Sequence, residues 1–143
     1  MTPARSDSAV ASALRLAVMR LARRLRGERS DTSLTISQIA ALSTLERTGP
    51  LTPGELAAAE RVQPASMTRI AASLLAAGLV TRTDHPSDGR QVLLAASPDG
   101  AALVREDRRR RDAWLARRLQ DLPAEDVEVL RRAAVVLERL AAS

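Results

Sequence analysis

Leu51 to Ala96 reads LTPGELAAAERVQPASMTRIAASLLAAGLVTRTDHPSDGRQVLLAA, and this stretch decides the fold. Thr52-Pro53-Gly54-Glu55 has the form of a capping box. The Thr52 hydroxyl accepts from the Glu55 amide, and the Glu55 carboxylate reaches back to the Thr52 amide. Pro53 stands at the first helical position, where its missing N–H costs nothing. A short helix is therefore expected from Pro53 to about Glu60, followed by a three-residue turn, Arg61-Val62-Gln63. Pro64 opens a second helix, and Gly78 is placed to end it in a left-handed cap. Two helices about a tight turn make a helix-turn-helix.

In the second helix Met67, Ile70, Ala71 and Leu74 recur at helical spacing and are assigned to the core. Ala65, Ser66, Thr68, Arg69, Ala72 and Ser73 are left facing outward. A face of small and hydroxylic residues around one arginine suits a helix lying deep in a major groove. Small side chains allow close approach, and Arg69 has the donors for a guanine edge or a phosphate. An ordinary amphipathic helix with a wet polar face fits the same residues. The segment after Gly78 separates the two. Leu79–Asp84 and Gln91–Ala95 are short runs rich in Val, Leu and Thr, and His85-Pro86-Ser87-Asp88-Gly89-Arg90 between them is turn chemistry. A hairpin directly after a helix-turn-helix is a winged helix, with Arg90 at the tip of the wing.

These residues resemble the winged helix of the MarR family of bacterial transcription regulators. The likeness includes the wing pattern Asp84-x-Pro86-x-Asp88-x-Arg90 and the step Gly78-Leu79-Val80 from recognition helix to wing. It extends more loosely over the whole chain, because the family places one or two helices before this block and two long ones after it. Gln63 departs from the pattern, standing where many members have a small capping residue, and so does His85, which replaces a polar wing residue.

Working outward, Val10, Leu14, Ala17, Val18, Leu21 and Leu25 form a helical stripe from Ala9 to about Gly27, after a polar start over residues 1–8. Leu16 and Met19 lie off that stripe, so the helix has a second apolar side to bury. Ser30-Asp31-Thr32-Ser33 reads as a loop. Thr35-Ile36-Ser37-Gln38 is another capping box, opening a scaffold helix through Ile39, Leu42 and Leu45 to Arg47. Beyond the wing, Ser97 caps a long helix from Pro98 to about Gln120. Its stretch from Arg105 to Asp112 has no apolar residue. The pairs Glu106/Arg110 and Asp107/Arg111 mark a solvated, self-paired face. The spacing Val104, Arg108, Arg111, Leu115 supports a sharper reading, in which Arg108 and Arg111 border a cavity for an anionic effector. After Asp121-Leu122-Pro123 the last helix is again two-sided.

The expected architecture is mostly α (α+β), with about six helices and a two-stranded wing in one domain over residues 1–143. Residues 35–96 make the winged helix-turn-helix, with recognition helix 64–77 and wing 79–95. Residues 9–28 and 98–143 make a helical dimerisation stem, through Val10, Leu14, Leu21, Trp114, Leu115, Leu119, Leu130, Leu137 and Leu140. Gln63, Ala65, Ser66, Thr68, Arg69, Ser73, Arg82, Ser87, Asp88, Gly89 and Arg90 are the candidate DNA contacts. Gly89 is expected at positive φ in the wing turn. The resemblance implies a homodimer on a pseudo-palindromic duplex, with Arg90 in the minor groove, Arg82 on a phosphate and repression relieved by a small ligand.

Composition bounds the rest. The 143-residue chain has a net charge of +5, and all 22 of its basic residues are arginine, which favours an anionic partner. It has no cysteine, which excludes disulfides, thiolate metal sites and the cysteine chemistry of oxidant-sensing family members. One tryptophan is the sole aromatic residue, too few for stacking single-stranded bases. No signal peptide or membrane span is legible, so a cytoplasmic protein is expected. One histidine, His85, between aspartates is a poor metal set, and no nucleophile elbow or phosphate loop appears. Neither an enzyme nor a cofactor is expected. A winged helix that grips another protein remains the alternative.

Overall fold

The computed structural model describes residues 3–29 and 33–143, the side chains of residues 3–6 apart. Of the loop expected over residues 30–33, residues 30–32 lie outside the described residues. Among these there are six helices and one two-stranded antiparallel sheet, in the order α1 Pro3–Arg26, α2 Ile36–Thr48, α3 Pro53–Glu60, α4 Pro64–Ala76, β1 Val80–Asp84, β2 Val92–Ala96, α5 Pro98–Gln120 and α6 Ala124–Ala142. The first helix starts at Pro3, not at Ala9, since proline is tolerated in a first turn and the polar residues after it cost a helix little.

The chain forms two compact units, residues 29–109 and residues 1–28 with 110–143. The boundary expected before Pro98 therefore falls inside α5. The reason lies in what the first half of that helix packs against. Val104 and Asp107 are fully buried, and Val104 belongs to the same core cluster as Leu42, Leu56, Met67, Leu74 and Leu94. The solvated face expected from Arg105 to Asp112 is corrected accordingly at Asp107.

Within residues 29–109 the elements follow local chemistry. Thr35 and Thr52 each accept from the amide three residues on, Gln38 and Glu55, and each returns its own N–H to that residue's side chain, so both capping boxes are closed. Thr44 on α2 donates its hydroxyl to Glu60 on α3. The two helices of the helix-turn-helix end alike. Val62 N–H bonds to Ala57 O at 3.0 Å with Arg61 at φ 54°, and Leu79 N–H bonds to Leu74 O at 3.0 Å with Gly78 at φ 73°. Glycine takes the left-handed conformation freely, whereas Arg61 adopts it against a steric cost of about 1–2 kcal/mol.

Strand β1 pairs with β2 in the register Val80↔Ala96 to Asp84↔Val92. Leu51, just before α3, bridges Leu94 through two backbone bonds, at 3.0 and 2.8 Å, and ties the wing to the first helix of the helix-turn-helix. Ser97 closes the unit. Its hydroxyl donates to Gly78 O at 2.7 Å and accepts from Gly100 N–H at 3.0 Å, while its own N–H bonds to Leu79 O at 2.9 Å.

The other unit is built differently. α6 has no buried residue, and among the described residues of this unit only Trp114 is buried. Trp114 lies under two guanidinium groups, Arg118 at 4.8 Å and Arg24 at 5.6 Å from the ring centre. Leu21, Leu115, Leu119, Val127, Leu130 and Leu137 line an almost wholly apolar cavity of about 470 Å³. Val10, Val136 and Leu140 remain 61, 46 and 57 % exposed.

Gly100 sets a sharp constraint. A Cβ there would stand 2.0 Å from Leu79 O and 3.0 Å from a Leu42 methyl, whereas one at Gly54 would meet nothing within 4 Å. Gly100→Ala is expected to lose about 3 kcal/mol of unfolding free energy or more in urea titration, while Gly54→Ala stays within about 1 kcal/mol of the parent.

Candidate nucleic-acid interface

Helix α4 presents the face that its sequence promises. Met67, Ala71 and Leu74 are buried, Ile70 is half-buried, and Ala65, Thr68, Arg69, Ala72 and Ser73 are exposed. Ser66 is half-buried, at the edge of the face. Gln63 is the N-cap of α4 but makes no side-chain cap bond, which leaves its amide free to reach outward.

The hydroxyls are more constrained than the sequence suggests. Thr68 Oγ1 donates to Pro64 O at 3.0 Å and Ser73 Oγ donates to Arg69 O at 3.1 Å. Their hydrogens are spent on their own helix, so in this arrangement both offer lone pairs only. Such an oxygen accepts from the amino groups of cytosine or adenine and does not donate to a phosphate. Arg69 is the donor at the middle of the face.

The wing carries the second cluster. Arg82 projects from β1 and Arg90 from the turn, and with Thr52, Pro53, Gly54, Gln91 and Val92 they line a cleft of about 400 Å³. Asp88 is half-buried, and its Oδ1 accepts from the Arg90 N–H at 3.0 Å, closing the turn just before the arginine. Ser87 is exposed at the tip. Gly89 is not at positive φ, contrary to expectation, since the aspartate carboxylate closes the turn with ordinary backbone angles. Among the described residues the guanidinium groups of Arg69, Arg82 and Arg90 make no ion pair and no hydrogen bond.

The charged stretch of α5 stands in contrast. Arg108 holds Glu46 of α2 at 2.9 Å and Arg105 holds the same carboxylate at 3.4 Å, while Arg109 pairs with Glu106. The hydrogen bond from Arg108, and after it the charges of Arg108 and Arg105, keep the Glu46 carboxyl below its ordinary range. Arg108 thus has its charge answered within its own unit. Arg111, its expected partner at an anion site, is half-buried in the other unit. No sequence signal marked Glu46, which is 62 residues from Arg108 along the chain.

A helix-turn-helix followed by a hairpin defines a winged-helix protein. The model of the MarR family matches residues 34–92, from the start of α2 into the wing. An HTH-type transcriptional regulator of Mycobacterium leprae is 51% identical over 134 residues, 93% of this chain and 94% of that protein. The multiple antibiotic resistance protein MarR of Salmonella typhimurium is 32% identical over 102 residues, 71% of each chain. The fold matches that of a MarR family protein from Bacillus stearothermophilus, with a TM-score of 0.85 over the whole of both chains at 24% identity. The chain belongs to the MarR family of DNA-binding transcriptional regulators.

A carboxylate held below its ordinary 4.5 contributes stability that is present above that value and lost as pH falls through the folded value. Glu46→Gln should therefore lower the thermal midpoint at neutral pH, and the gap from the parent should close as pH falls below 4.5. Both arginine side chains are about half exposed or more, so the effect should be modest and shrink with added salt.

Proposed function

We propose that the protein is a homodimeric repressor that sits on a pseudo-palindromic duplex and leaves it when a small ligand binds. Helix α4 enters the major groove. Arg69 pairs with a guanine edge or a phosphate, Gln63 and Ser66 reach base edges or backbone, and Ala65 allows the close approach. Thr68 and Ser73 accept from base amino groups. On the wing, Arg90 enters the minor groove, Arg82 meets a phosphate, and Ser87, Asp88 and Gly89 shape the tip. A two-fold pair sets two such helices about 34 Å apart, one turn of the duplex.

The observation that carries this reading is the placement of three guanidiniums without an acid of their own, Arg69, Arg82 and Arg90, on the outward face of α4 and on the wing of one compact unit. Guanidiniums with no acid of their own are available to phosphates and base edges. The dimer is supported by the apolar residues left exposed on α1 and α6, Val10, Leu14 and Leu21 on the first and Leu130, Leu137 and Leu140 on the last. Leu115 and Leu119 are half-buried along the apolar cavity. Trp114, at 8% exposure, contributes packing inside its own unit and offers a partner little area. Release by a ligand fits the cavity of about 470 Å³ better than a bare-anion seat at Arg108 and Arg111, because that cavity is almost wholly apolar. We read the protein as a regulator with no enzymatic role, working on DNA in the cytoplasm. No helix among the described residues is long and apolar enough to cross a membrane.

Selection of bound duplexes from a random pool at low salt tests the proposal. A palindromic consensus is expected, with log affinity falling by about 0.9 per phosphate contacted for each decade of salt. Failure to enrich any duplex, with a protein captured by the winged unit instead, would overturn it. On the selected duplex, Arg69→Ala should cost about 1–3 kcal/mol and relax the preference at one base pair, while Arg82→Ala should weaken all sequences alike and lower the salt slope. Val136→Asp with Leu140→Asp should yield a monomer by sedimentation and lose tight binding.

A further inference from the structure

His85 is the chain's one histidine, and the proposed contacts make no use of it. It lies half-buried where β1 gives way to the wing turn, and its backbone N–H donates to Gln91 O at 3.1 Å. Its Nδ1 receives the backbone N–H groups of Ser87 and Asp88, both at 3.2 Å, with Ser87 Oγ at 3.3 Å. Backbone amides only donate, so this Nδ1 is an acceptor, and the neutral ring carries its proton on Nε2. Neither amide has a backbone carbonyl as partner. One imidazole nitrogen therefore caps two successive amides. The next link follows at once, because Asp88 accepts from the Arg90 N–H at 3.0 Å and its carbonyl accepts from Gln91 N–H at 3.0 Å.

We propose that neutral His85 is a positioning residue for Arg90, and that protonating its ring releases the wing turn and weakens DNA binding. This rests on the proposed contact between Arg90 and DNA. An imidazolium has no lone pair for the Ser87 and Asp88 amides, so acid removes the cap outright. Several charged groups lie near the ring. Glu55 of α3 feels the charge of His85, Asp84 and Asp88 flank it in the turn, and Arg90 is the cation beyond them. Glu55 is engaged by both the N–H and the hydroxyl side of Thr52, yet its carboxylate still attracts the imidazolium. The added positive charge by itself would tighten binding to a polyanion, so the sign of the pH effect distinguishes loss of the cap from simple attraction.

Two measurements test this. In ¹⁵N NMR spectra of the free chain, the Ser87 and Asp88 amide signals should move together with the His85 ring signals as the sample is acidified from about pH 8 to about 5.5. In His85→Asn they should hold still, since the amide oxygen stands where Nδ1 stood and does not titrate in this window. Amides that ignore the ring, or that move equally in His85→Asn, overturn the cap. On the selected duplex at fixed salt, the parent should lose about tenfold in affinity over the same interval, with His85→Asn flat and His85→Ala weak throughout. Affinity that rises or stays level in acid while the amides titrate overturns the positioning role. If no duplex binds at any pH, the DNA reading fails on its own, and the NMR titration still decides the cap.

Discussion

One serine hydroxyl fixes the geometry of the winged unit. Ser97 Oγ donates to the carbonyl of Gly78, which ends the recognition helix, and accepts from the amide of Gly100, which begins α5. The Ser97 N–H takes the next carbonyl, Leu79 O, at the entry to β1. Three elements therefore meet within bonding distance of one residue, and Gly100 is the side chain that must be missing for Leu79 O to come so close. With the Leu51 to Leu94 bridge pinning the other side of the wing to the start of α3, the recognition helix and the hairpin are held as one body. Arg69 and Arg90 are thereby set at a spacing that belongs to the fold and not to their own flexible stems. A groove reader needs this, because each contact gains specificity only if its neighbours arrive in register.

The parts legible in the sequence were those governed by bonds three to five residues long. Both capping boxes, the prolines opening α3, α4 and α5 and the Gly78 terminus are local in this sense, and the two-stranded wing, paired from Asp84↔Val92 to Val80↔Ala96, is marked by the turn residues between its strands. The failures have a common physical character. Leu51 pairs with Leu94 across 43 residues, and Glu46 takes Arg105 and Arg108 across about 60. Neither is encoded by periodicity. Asp107 is buried within a stretch whose composition reads as solvent-facing, because tertiary contact overrides the local pattern. At Gly89 residue type suggests a left-handed turn, but the Asp88 carboxylate makes one unnecessary, while Arg61, which residue type does not mark, takes a positive φ in the turn after α3. For the candidate site, the residue types on α4 and the wing could be read. Which hydroxyls had already spent their hydrogens could not, because that depends on side-chain rotation.

The two units differ in how completely they satisfy themselves. Residues 29–109 enclose a continuous core from Leu42 to Val104. The other unit buries one tryptophan and leaves valine and leucine side chains in water along α1 and α6. Each such side chain, 37–61% exposed, forgoes part of the roughly 1.5–3 kcal/mol that full burial would contribute. Helices with apolar residues on more than one side are built to be covered. Within this reading a second copy is the economical cover, since it exposes the same faces, and it would also supply the second recognition helix that a palindrome demands.

The arginines provide the last step. Twenty-two of them in an alanine-rich chain say little by number, because a basic total is compatible with almost any anionic partner or none. Their placement and partners together say more. On α5, Arg105 and Arg108 close on Glu46 and Arg109 on Glu106, and Arg24 and Arg118 cover the tryptophan ring. These charges are committed to holding the protein together. Arg69, Arg82 and Arg90 have no such commitment, and they lie on the recognition helix and the wing. A phosphate or guanine edge approaching them displaces only water, whereas one approaching Arg108 must first compete with a carboxylate at 2.9 Å. On the proposed reading, association with DNA is therefore concentrated on the winged face, even though the densest run of positive charge in the sequence lies elsewhere, at Arg108 to Arg111.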